Sequence, residues 1–68
     1  MEVDVDKLKE LREDRALSMR ELAAVSGIAA QTIYRIEHGQ SNVHPRTIRN
    51  LAEALGVAPR ELRGGSSE

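Results

Sequence analysis

The stretch Met19-Arg-Glu-Leu-Ala-Ala-Val-Ser-Gly-Ile-Ala-Ala-Gln-Thr-Ile-Tyr-Arg-Ile36 decides how this chain folds. Counted from Met19, residues Ala23, Gly27, Ile33 and Ile36 stand at the fifth, ninth, fifteenth and eighteenth places, the offsets two crossed helices need when a tight turn joins them. A first helix is expected from Met19 to about Ser26. At Ala23 the second helix crosses at close range, so a larger side chain there pushes the two apart. Gly27 follows the last helical residue and takes the left-handed conformation that ends a helix sharply, which costs a residue with a side chain about 1 kcal/mol or more. Ile28, Ile33 and Ile36 are then expected to bury one face of the second helix against Leu22 and Val25.

The opposite face of that second helix carries Ala30, Gln31, Thr32, Tyr34 and Arg35. A solvated helix face is usually rich in Glu and Lys; this one is short of both and rich in groups that can meet base edges or phosphates. The alternative reading is an ordinary solvated face. The turn pattern upstream favours a DNA-reading helix-turn-helix.

Working outward, the 68 residues suit one small domain, residues 1–63, followed by a tail of small residues, 64–68, expected to be flexible. There is no cysteine, which rules out a disulfide framework, thiol catalysis and cysteine-based zinc sites. Tyr34 is the only aromatic residue, so the core must be aliphatic. No stretch approaches the roughly 18 consecutive apolar residues of a membrane span, and the acidic start is unlike a secretion signal. A cytoplasmic location and no membrane contact are expected. The net charge of −1 argues against nucleic acid, because DNA binding neutralises several phosphates with Lys and Arg. Its distribution is more favourable: between Gln31 and Asn50 the only acid is Glu37, against Arg35, Arg46, Arg49 and two histidines.

Helical periodicity dominates and no run reads as a strand, so an all-α fold of five helices is expected. The first runs from Asp4 or Asp6 to Asp14, with Val5, Leu8 and Leu11 on one stripe and acids suited to the helix dipole at its start. Ser18-Met-Arg-Glu21 is a capping box that sets the start of the second. The third spans about Ala30 to His38, before Gly39, and the fourth starts at Pro45, carries Ile48, Leu51, Ala52 and Leu55 inward, and stops at Gly56. A short fifth helix is expected after Val57-Ala-Pro59, through Leu62 and Arg63.

From Leu8 to Leu62 the sequence resembles the lambda-repressor-like, xenobiotic-response-element type of helix-turn-helix regulator. The blocks that carry the resemblance are Leu8-Lys-Glu-Leu-Arg12, Leu17-Ser-Met-Arg-Glu-Leu-Ala23, Ser26-Gly-Ile28, Thr32-Ile-Tyr-Arg-Ile-Glu-His-Gly39 and Leu51-Ala-Glu-Ala-Leu-Gly-Val57. It implies a transcriptional regulator, commonly a repressor, whose recognition helix enters the major groove of double-stranded DNA, usually as a dimer on a two-fold symmetric operator. By position, Gln31 matches a residue that bonds a base edge, and its amide can pair with adenine. Ala30, Tyr34 and Arg35 match other groove-facing places, and Thr32 stands between base and backbone. Arg46 and Arg49 match phosphate contacts that set register rather than specificity, as do Arg20, His38, Asn42 and His44. Arg12 and Glu37 match an ion pair tying the first helix to the third; the alternative is two solvated charges. Three places depart from the family: Ala29 lacks the usual capping hydroxyl, Met19 replaces a polar phosphate contact, and the loop Gln40–His44 is slightly long.

His38 and His44 are the only histidines, and each reads as a surface residue or phosphate donor rather than a base or metal ligand. No glycine-rich phosphate loop or metal-spaced carboxylate cluster accompanies them, so neither an enzyme nor a cofactor is expected. The competing function is a protein-binding or antitoxin-like module using the same fold, with or without DNA affinity. A weak homodimer is expected, with its seam near Val57, Pro59 and Leu62.

Overall fold

The computed structural model describes residues 2–40 and 42–63. Its elements are α1 (Val5–Asp14), α2 (Met19–Ser26), α3 (Ala30–Glu37), α4 (Pro45–Leu55) and a single 3-10 turn, Pro59–Glu61. The tail expected at 64–68 lies outside the described residues.

The ends of these helices follow from local chemistry. Asp4 caps α1, its carboxylate accepting from the Lys7 amide at 3.1 Å. The capping box forms as expected: the Glu21 amide donates to Ser18 Oγ at 3.0 Å and the Ser18 amide donates to Glu21 Oε1 at 2.8 Å. Gly27, at φ 75°, closes α2 in the left-handed region, and its amide donates to the Ala23 carbonyl at 2.9 Å. Pro45 begins α4, where its missing N–H costs nothing.

Helix α2 packs on α3 and α4, α1 on α3, and the 3-10 turn on α4. The buried centre is wholly aliphatic: Val3, Leu8, Leu22, Ile33, Ile36, Val43, Ile48, Leu51, Ala52, Leu55 and Leu62. Ile28 and Ala23 lie partly buried against it, and all four inward residues expected on α4 are in place.

Three expectations are corrected. There are four α-helices rather than five. The backbone that would continue a fifth is engaged elsewhere: the Leu62 carbonyl accepts from the Asp4 amide at 2.7 Å and Arg63 pairs with Val3 in an isolated bridge. That leads the chain into extended pairing after one 3-10 turn. Val25 does not pack against α3; it is 61% exposed. Leu22, Met19, Ala23 and the partly covered Ser26 define the buried arc of α2, and Val25 falls roughly 110° from the middle of that arc at 100° per residue. Leu62 is not spare for a dimer seam, being completely buried in the core; Val57 is half-buried and Pro59 exposed.

Candidate nucleic-acid interface

Helix α3 is held from behind and open in front. Ile33 and Ile36 are completely buried. One turn beyond Ile33, the Glu37 carboxylate is only 2% exposed and is gripped by two bonds from Arg12, Nε to Oε2 at 2.7 Å and Nη2 to Oε1 at 3.0 Å. The remaining guanidinium nitrogen, Nη1, donates to the Leu17 carbonyl at 2.6 Å. A single side chain thus ties α1, the approach to α2 and the last turn of α3. The Arg12 guanidinium is pushed above its ordinary pKa, chiefly by its hydrogen bond to Glu37; burial opposes the rise, and the charges of Glu37 and Glu13 add to it.

This pair also disposes of the acid in the candidate surface. Glu37, the only acid between Gln31 and Asn50, is turned inward and neutralised. The exposed side of that stretch therefore presents cations only, despite the net charge of −1.

On the front of α3, Gln31, Tyr34 and Arg35 are exposed, with Ala30 and Thr32 half-buried. Thr32 faces a recess of about 410 Å³ that it lines with Gln40, Asn42, Val43, His44, Pro45 and Thr47. A second recess of about 470 Å³ is lined by His44, Pro45, Arg46, Thr47 and Arg49. The start of α4 therefore gathers His44, Arg46 and Arg49 around its first turn, where unpaired amides and the helix dipole favour an anion. Asn42 joins this group from the loop, where it pairs with Glu2 in an isolated bridge. Arg20, exposed on the first turn of α2, lines neither recess. His38 is the C-cap of α3, its ring stacked on Tyr34 with centroids 3.9 Å apart.

Two lining residues escape a reading of the sequence, Gln40 and Thr47. The signal for Thr47 lies in Pro45: once proline marks the first helical position, residue 47 falls in the first turn beside Arg46.

The sequence profile of the helix-turn-helix family matches residues 8–62. The HTH-type transcriptional repressor RghR of Bacillus subtilis is 47% identical over 58 residues, which are 84% of this chain and 43% of RghR. The restriction-modification controller protein C.AhdI of Aeromonas hydrophila has a similar structure, with a TM-score of 0.79 and 40% identity over 84% of this chain and 86% of that one. A hydroxyethylphosphonate dioxygenase structure contains the same fold as 15% of its length, with a TM-score of 0.84 and 25% identity over the whole of this chain. The chain spans about two-fifths of the length of the B. subtilis regulators it matches. With the profile covering α1 to Leu62 and the turn geometry at Gly27 in place, this chain belongs to the helix-turn-helix family.

Proposed function

We propose that this chain is the sequence-specific, double-stranded DNA-binding unit of a transcriptional regulator. The observation that carries the reading is the two-sidedness of α3. Its inner side is fixed by Ile33, Ile36 and the Arg12–Glu37 pair, while Gln31, Tyr34 and Arg35 are presented outward beside the cationic start of α4. In this reading α3 enters the major groove; Gln31, Tyr34 and Arg35, flanked by Ala30 and Thr32, meet base edges; Arg46, Arg49 and His44 hold phosphates. The names of its relatives, which are transcriptional regulators and a controller protein, support the same assignment. The role is one of binding, with no catalytic step and no cofactor.

Few phosphate contacts per domain make a second copy valuable. Two α3 helices about 34 Å apart reach successive major grooves on one face of DNA, and linking two weak sites raises affinity without new contacts. With Leu62 committed to the core, the half-buried Val57 and the exposed Pro59 are left as the apolar part of the seam.

Selection of bound duplexes from a random-sequence library at about 100 mM salt, followed by salt titration of the winner, tests the reading. An enriched inverted repeat with centres about one helical turn apart and a steep salt slope supports an operator-binding dimer. Absence of enrichment and of salt-dependent binding sinks it in favour of a protein-binding module.

A further inference from the structure

Tyr34 is the one aromatic side chain available to the groove face, and it is 52% exposed. An exposed phenol attached to the core at no point would sample several rotamers, and DNA would have to select one of them at an entropic cost. His38, one turn further along the same face, prevents this. The two rings are nearly parallel, 23° between planes, at a centroid distance of 3.9 Å.

His38 is itself held at both ends. Its backbone amide donates to the carbonyls of Tyr34 at 3.0 Å and Arg35 at 3.2 Å. Its ring Nδ1 lies 2.8 Å from the Tyr34 carbonyl. A carbonyl only accepts, so Nδ1 carries the proton. In the neutral ring Nε2 then presents a lone pair, and a phosphate oxygen, also an acceptor, finds no donor there. This conflicts with a phosphate-contacting role for His38 and fits a role in shaping its neighbour.

We propose that His38 is a positioning residue for base reading: its ring fixes the phenol of Tyr34, so that the preference read by Tyr34 depends on a side chain that itself meets no base. The inference rests on the assignment of α3 as the groove helix.

The test compares the full chain with His38→Ala, His38→Phe, Tyr34→Ala and the Tyr34→Ala/His38→Ala double variant, each titrated against the selected operator and its single-base-pair substitutions. Thermal melting checks that each variant is folded. Tyr34→Ala is expected to flatten preference at one or two base pairs. His38→Ala should flatten the same positions, by about 3- to 10-fold, the range set by an aromatic pair. The double variant should lose no more than Tyr34→Ala alone, since the two side chains act as one unit. His38→Phe keeps a stacking ring without the hydrogen bond and should restore most of the preference. If His38→Ala instead weakens every sequence alike and lowers the salt slope by about one, His38 is a phosphate contact and the proposal falls. If Tyr34→Ala flattens a position that His38→Ala leaves untouched, the positioning role alone fails. If the unaltered chain discriminates no sequence at all, the groove assignment fails with it.

Discussion

Helices α2 and α3 are equally long, eight residues each, and meet across Gly27, yet they are held in opposite ways. Helix α2 is closed by its own neighbours in sequence, with the Ser18–Glu21 box at the start and the Gly27 turn at the end. Helix α3 begins at Ala29, which offers no side-chain cap, and owes its place to residues distant in sequence: the core around Ile33 and Ile36, and Arg12 reaching over from α1. A helix specified locally serves as scaffold. A helix specified through its inner face alone leaves its outer face and first turn free of structural duty, so that face can vary with the sequence to be read.

The sharpest way to break this contrast is at Glu37. Replacing it with Ala strands the guanidinium of Arg12, which is only 11% exposed, and the loss of one partner of a buried pair costs about 3–5 kcal/mol. In a domain of this size that lowers the melting temperature by at least ~12 °C, measured by circular dichroism. Replacing both partners with apolar residues, Arg12→Met with Glu37→Leu, should recover much of the loss. If the single and double variants melt alike, α3 is not held through this pair.

The outer face should behave in the reverse manner. Gln31→Ala removes an exposed amide, so stability should stay within about 0.5 kcal/mol, while discrimination at one or two base pairs of the operator falls by about 1–3 kcal/mol. Parallel melting and competition binding give both numbers. A large loss of stability would mean that the two sides of α3 are not separable.

How much of this was legible follows the same division. The limits of α2 and α4 could be read because each is punctuated locally, by Ser18 and Glu21, by Pro45, and by Gly27 and Gly56. The Arg12–Glu37 contact was legible only through family resemblance, since nothing local links residues of α1 and α3. Val3 escaped for the same reason: it is buried, and its strand-like bridge to Arg63 joins opposite ends of the described chain. That pairing is also what replaced the expected fifth helix. At the candidate site, the exposure of Gln31, Tyr34 and Arg35 agrees with the helical period, whereas the recesses that gather Thr32, Thr47 and His44 depend on how α4 sits against the preceding loop.

Exchanging the start signals of the two helices sharpens the comparison with a smaller effect. Ser18→Ala removes the cap of α2 and should cost about 1 kcal/mol. Ala29→Ser offers α3 the cap it lacks and should gain up to about 1 kcal/mol, because Ala29 already has the extended backbone, φ −59° and ψ 140°, from which a hydroxyl reaches the next turn. Urea unfolding resolves both signs. If Ser18→Ala were silent, the capping box would not be what specifies α2.

The smallest effect concerns the turn that delivers the chain into α2. Three glycines, Gly27, Gly39 and Gly56, end helices at positive φ; α1 ends with Ala16 at φ 55°. The hydrogen bonds are the same as at Gly56, with Ala16 donating to Glu13 and Leu17 to Arg12, as Gly56 donates to Glu53 and Val57 to Ala52. An alanine in this region is strained by roughly 1–2 kcal/mol, and the replacement glycine brings back roughly 0.5–1 kcal/mol of extra chain entropy in the unfolded state. Ala16→Gly should therefore stabilise the domain by about 0.5 kcal/mol, the difference between those two terms. The Leu17 carbonyl would remain available to Arg12, so the grip on Glu37 and the placement of α3 should be unchanged. A gain in urea midpoint with unaltered operator discrimination is the expected outcome. A loss of stability would mean that the Ala16 methyl contributes more than its backbone strain costs, and that this junction, unlike the start of α2, is specified by packing.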